Sequence, residues 1–172
     1  MQAYVNAVTA LSRLCGVAAA ALIAVSVAVV CQMIVLRSML GQTVVWQSEF
    51  ITYSLVAATF IGSPYVLLTR GHVNVDLIPL YLGQRARFAL ALAGSLLALG
   101  FCVLVLVNGV EWWLEAAEGG FVNDSLWAPK LWVPYFALPL GFGVLTLQYL
   151  ADIACLVTRQ ALPFGMTPGG RP

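Results

Sequence analysis

The stretch WQSEFITYSLVAATFIGSPYVLLTRGHVNVD, residues 46–76, decides how the whole chain is read. It opens with Trp46 and Glu49, runs from Phe50 to Thr69 without a charged residue, and closes on Arg70, His72 and Asp76. An α-helix rises about 1.5 Å per residue, so roughly 20 uncharged positions cover the ~30 Å hydrocarbon layer of a bilayer. The polar landmarks fall at the two edges of that length and none falls inside it. Such a pattern predicts a transmembrane helix held at both membrane faces.

Three more charge-free intervals of similar length lie outside this stretch, from Leu14 to Leu36, Phe88 to Val110 and Leu131 to Ala151. Apolar residues make up 62% of the chain and charged residues 9%, against about 45–50% and 25% in soluble proteins. Unpaired backbone groups are not tolerated in lipid, and the intervals lack the roughly ten-residue alternation of barrel strands, so helices are the spanning form. The sequence thus predicts an all-α integral membrane protein: one domain over residues 1–158 with four transmembrane helices, at about 14–36, 50–69, 88–110 and 131–151, and short interfacial segments. One such segment is expected over Ser38–Glu49, where Leu40, Val44 and Trp46 would lie along the surface. A second is expected between Val73 and Leu82, where Pro79 suits the start of a brief helix. The Gly- and Pro-rich tail 159–172 is expected to be disordered. The first interval is longer than a typical signal core and ends at Arg37 without a small-residue cleavage pattern, so it is expected to remain.

Charge distribution sets the expected orientation. Arg13 precedes the first span, Arg70, Arg85 and Arg87 separate the second from the third, and Arg159 and Arg171 follow the fourth. Only Arg37 and Lys130 lie on the other side. By the positive-inside rule both termini are cytoplasmic, and the loop carrying Glu111, Glu115, Glu118 and Asp124 faces outward. Trp46, Trp112, Trp113, Trp127 and Trp132 all fall at the predicted outer ends, where indole rings favour the headgroup layer. A net charge of +1 without a basic run gives no case for a nucleic-acid partner.

The chemistry on offer is sparse. One histidine, His72, cannot make a metal site even with Asp76 four residues on. Cys15, Cys31, Cys102 and Cys155 form no Cys-x-x-Cys pair and read as small apolar packers. No convergence of ionisable groups suggests an enzyme, a metal or a cofactor. Ionisable residues inside membrane spans mark ion and proton routes, and all four spans lack them. That favours an accessory role over a stand-alone four-helix small-solute transporter, or over a membrane anchor subunit of a respiratory enzyme, which would want haem-ligating histidines. Small residues recur every fourth position at Gly16, Ala20, Ala24 and Ala28, and again at Ser54, Ala58 and Gly62. Such ladders mark close helix contacts, within the chain or with another membrane subunit. Pro64, Pro134 and Pro139 are read as adjusting helix shape. If the third helix continues outward, Glu111, Glu115 and Glu118 form one acidic face, either solvated or docking a basic surface.

Taken in order, Trp46-x-x-Glu49, Phe60-Ile-Gly62, Arg70-Gly-His72-Val-x-Val-Asp76 and Trp132-Val-Pro-Tyr135-Phe-Ala-Leu-Pro139-Leu-Gly141 resemble the small membrane subunit, the DctQ type, of tripartite ATP-independent periplasmic (TRAP) transporters. The similarity covers nearly the whole chain. Where the family often has two consecutive acidic residues after the tryptophan, Ser48 takes the first place and Glu49 alone remains. The resemblance implies a protein of the bacterial inner membrane that pairs with a large membrane subunit of the DctM type and with a periplasmic substrate-binding protein, in a bed of membrane lipids. In that family the large subunit is thought to carry an organic acid with sodium, and the small one to brace it as a scaffold. It implies Trp46 as an outer anchor and Glu49 as a carboxylate placed well against the helix dipole. Arg70 and His72 would hold the inner end, with Asp76 as a partner for Arg70, Arg85 or Arg87. Ser54, Ala58 and Gly62 would offer a packing face between those pins. Trp112, Trp113, Glu115 and Glu118 are the residues that would meet the binding protein.

Overall fold

A computed structural model describes residues 2–41, 45–69, 84–125 and 127–157 of the chain. Its helices are α1 (Gln2–Leu40), α2 (Val45–Leu68), α3 (Gln84–Glu118), α4 (Trp132–Tyr135) and α5 (Ala137–Val157). Among the described residues, four stretches are long and apolar enough to cross a membrane: Ala3–Met39, Trp46–Leu68, Phe88–Glu118 and Trp132–Leu156. The last of these joins α4 to α5. Among the described residues, pairing of extended backbone is limited to one antiparallel bridge between Val122 and Lys130.

The helices outrun the charge-free intervals for a physical reason. Charges mark the edge of the hydrocarbon, but a helix satisfies its own backbone on either side of that edge, so nothing compels it to stop there. α1, with 39 residues, is about 58 Å long and carries both Arg13 and Arg37 within it. It ends where Gly41 takes a left-handed φ of +60°, the conformation glycine supplies just past a helix terminus. Of the surface segment expected over Ser38–Glu49, Ser38 to Leu40 instead complete α1 and Val45 to Glu49 form the first turns of α2, while residues 42–44 lie outside the described residues. The second expected surface segment and the tail from residue 159 lie outside the described residues.

α1 and α2 run antiparallel in one steady register. Ala19 faces Gly62, Gly16 lies under the Tyr65 ring, and Ser48 Oγ donates to Met33 Sδ at 3.8 Å. α2 and α5 run in the same direction and approach most closely where Gly141 sits against the Phe60 carbonyl, a place with no room for a Cβ. That contact has a local cause. Pro64 has no N–H to give the Phe60 carbonyl one turn back, and the Ser63 hydroxyl donates to it instead at 2.8 Å. The Phe142 ring then packs on Phe60 at 5.9 Å and on Phe101 of α3 at 6.5 Å. α5 is the helix around which the others gather, with 39% of its span buried against 6% for the span in α3.

Candidate functional site

The polar and aromatic landmarks gather at the end of the bundle where α2 starts and α3 stops. α3 is stopped by Gly119 and Gly120, the latter at φ +61°, with Phe121 N–H reaching back to the Ala116 carbonyl at 3.3 Å. This closure satisfies a terminal carbonyl and turns the chain over the bundle. Leu131 N–H bonds the Phe121 carbonyl at 3.0 Å and Asn123 N–H bonds the Pro129 carbonyl at 3.2 Å, which ties the loop's two strands together. At its tip Ala128 holds φ +42°, a conformation that L-residues other than glycine adopt at a cost. Its N–H is kept there by the carbonyl and hydroxyl oxygens of Ser125, at 3.1 and 3.2 Å.

Folded this way, the loop presents Asn123, Ser125 and Trp127 to the first turns of α2. Ser125 Oγ donates to Glu49 Oε2 at 2.9 Å, and Asn123 Nδ2 points at the same oxygen at 3.4 Å. Asn123 Nδ2 also lies 3.1 Å from the Tyr53 hydroxyl, one turn further along α2. Trp46 packs against Trp127 at 6.3 Å and against Phe50 at 6.4 Å. Hydrogen bonds to an ionised acceptor contribute about 1.5–3 kcal/mol each, so the half-buried Glu49 carboxylate acts as the peg on which the loop hangs. The arrangement holds the loop to the start of α2. Among the described residues no three His, Cys, Asp or Glu side chains gather as metal ligands would.

Of the residues singled out in the sequence, Trp46 and Glu49 therefore meet in one cluster. Ser54 and Ala58 are buried within the chain, and Gly62 is where α2 closes on Ala19. On α1 only Gly16 of its ladder is used in this way, since Ala20, Ala24 and Ala28 are exposed. Arg70, His72 and Asp76 lie outside the described residues. α3 does continue beyond Val110 as far as Glu118, and Glu111, Glu115 and Glu118 stand exposed beside the exposed Trp112. Trp113 turns inward onto Phe136 at 5.5 Å, with its indole nitrogen buried and unbonded.

Sequence reasoning missed Asn123, Ser125 and Tyr53. The signal was a pair of turn-forming residues with hydrogen-bonding side chains in a short loop, at the same end of the bundle as the carboxylate that opens α2. It also missed two polar residues inside the bundle. Ser12 Oγ donates to Gln148 Oε1 at 2.9 Å, both being fully enclosed, and Gln148 Nε2 donates to Asp152 Oδ1 at 3.2 Å. Gln47 is a different case: 1% exposed, its amide makes no hydrogen bond, and nothing in the fold explains it.

Comparison with known proteins agrees with this layout. A family model described as the DctQ component of tripartite ATP-independent periplasmic transporters matches residues 26–159. A relative, the C4-dicarboxylate TRAP transporter small permease protein DctQ of Vibrio cholerae serotype O1, is 21% identical over 148 residues, covering 74% of this chain. The chain spans 64% of that relative's length. With the family match running from the middle of α1 through α2, α3 and the loop that clasps Glu49 to the end of α5, the chain belongs to the DctQ family of TRAP transporter components.

Proposed function

We propose that the chain is a small permease subunit which braces a large membrane subunit, of the DctM type, during sodium-coupled uptake of an organic acid delivered by a periplasmic binding protein. It does so in the bacterial inner membrane with both termini cytoplasmic, as the placement of Arg13, Arg70, Arg85, Arg87 and Arg159 favours. One observation carries the reading. The charge-free intervals give the spans no ionisable side chain of their own with which to couple an ion to a solute. Of the carboxylates that border those intervals, Glu49 is taken up by Ser125 and Asn123, Asp152 accepts from Gln148, and Glu111 stands exposed on α3. A brace needs stiffness and surface instead. The clasped loop supplies the first, and the exposed apolar faces of α1 and α3 supply the second.

Trp46 and Glu49, with Arg70, His72 and Asp76 at the opposite end of the second span, are proposed as the pins that hold α2 across the bilayer. Ser54, Ala58 and Gly62 keep it straight against its neighbours. The acidic extension with Trp112, Glu115 and Glu118 is proposed to receive the binding protein. The test is expression with the neighbouring transport genes, followed by tagged purification and uptake in proteoliposomes. The large subunit is expected to co-purify, and uptake to require both chains. Solute movement by this chain alone would overturn the proposal in favour of a self-sufficient carrier, and bound haem or quinone would favour a respiratory anchor.

A further inference from the structure

On α3, Cys102, Gly109 and Ala116 are the residues turned into the bundle, with Gly109 meeting the Leu138 side chain of α5. Turned away from them are Leu97, Phe101, Leu104, Asn108 and Glu111, whose spacing of four and three places them along one stripe of the helix. All five are exposed, the three apolar ones by 62–77%. Asn108 breaks the apolar pattern, because it lies inside the charge-free interval, three residues short of Glu111. Side chains on a helix lean toward its N-terminus, and Asn108 Nδ2 accordingly donates to the Leu104 carbonyl at 2.8 Å. The amide is thereby turned toward the middle of the interval and away from the water at its edge.

Among the described residues Asn108 makes no other hydrogen bond, which leaves its Oδ1 acceptor and one Nδ2 hydrogen open. An acyl chain has nothing to offer either group, whereas a second membrane helix can meet both with a hydroxyl or an amide. The exposed side of α1, with Val17, Ala20, Ala24 and Ala28, makes no such demand, and lipid chains suffice to cover it. A second copy of this chain, joined stripe to stripe about a two-fold axis, would bring two Glu111 carboxylates together, which disfavours it. We propose that this stripe of α3 seats one transmembrane helix of the large subunit, with small residues facing Leu97, Phe101 and Leu104, a hydroxyl or amide pairing with Asn108, and a lysine or arginine beside Glu111. The inference rests on the bracing role above and names the face that performs it.

The test places a photocrosslinking amino acid at Leu104 or at Val17 in the chain co-expressed with its neighbouring transport genes, irradiates the membranes and identifies the products by mass spectrometry. Crosslinks to the large subunit are expected from Leu104 and not from Val17. Asn108→Leu is expected to lower retention of the large subunit in a detergent challenge about three- to tenfold, the scale of one hydrogen bond between membrane helices. Asn108→Gln keeps most of the retention, and the helicity of both variants stays at the wild-type value. Crosslinks from Val17 in place of Leu104, or equal retention by wild type and Asn108→Leu, would overturn this face while leaving the bracing role standing. So would products that join Leu104 to a second copy of this chain or to lipid alone. A wild-type chain that carries no large subunit overturns the bracing role, and this inference with it.

Discussion

A carboxylate at a membrane surface is content in water and needs no protein partner, yet Glu49 has Ser125 and Asn123. Its charge is therefore spent on holding the loop, and the two halves of the contact can be separated by mutation. Ser125→Ala leaves the carboxylate able to turn toward solvent, but removes the shorter bond and a hydroxyl that also steadies Ala128. A loss of about 1–2 kcal/mol in stability is expected, together with faster proteolysis between Gly120 and Lys130. Glu49→Gln keeps the shape and weakens the acceptor, so its effect is smaller and in the same direction, and it lowers assembly or uptake without altering which solute is taken up. Limited proteolysis and thermal unfolding in detergent measure the first two, and a competition uptake assay the third. The sequence made Glu49 visible as the odd charge beside Trp46. It hid the partner, because a hydrogen bond spanning more than seventy residues leaves no mark in the local pattern around either end.

At the level of helices, the contact between α2 and α5 turns on the size of a hydrogen. Pro64 frees the Phe60 carbonyl, Ser63 satisfies it, and Gly141 lets the neighbouring backbone press against it. Gly109 of α3 also faces a helix with no spare room, but what it meets is the end of the Leu138 side chain, which can rotate away. The two glycines should thus respond differently to the same added methyl. Gly141→Ala is expected to cost about 1–3 kcal/mol, because only backbone can yield, whereas Gly109→Ala costs well under half of that. Comparing their unfolding midpoints in SDS titrations checks this, and equal losses would mean that α2 and α5 are not held at that point. The four spans were legible in the sequence because exclusion of charge is a long-range rule applied to every residue of each interval. Their ends were not, since the rule reports the edge of the lipid, while Gly41 and Gly120 report the end of the helix. The small-residue ladder in α2 was legible as a packing face, and its counterpart in α1 reads the same in sequence although Ala20, Ala24 and Ala28 stay exposed.

Across the whole molecule, α1 and α3 lie on either side of the α2 and α5 pair, and the first span is tied to the last by Ser12 and Gln148. Both side chains are enclosed, so deleting either one strands the other. Ser12→Ala and Gln148→Leu are each expected to destabilise by about 1–3 kcal/mol. The double variant should cost less than their sum, with a coupling of about 0.5–1.5 kcal/mol, the range seen for such bonds between membrane helices. A double-mutant cycle on unfolding free energies gives that coupling directly, and a value of zero would show that the two helices are aligned by shape alone. The tie also has a meaning in time. Ribosomes add roughly 5–20 residues per second, so the 136 positions between the partners separate their synthesis by roughly 7–27 s. Throughout that interval the Ser12 hydroxyl sits in the nascent protein without the acceptor it was placed to meet. The hairpin of α1 and α2 can close early, but the bundle is completed only when α5 is delivered, which makes the last helix made the one that commits the first.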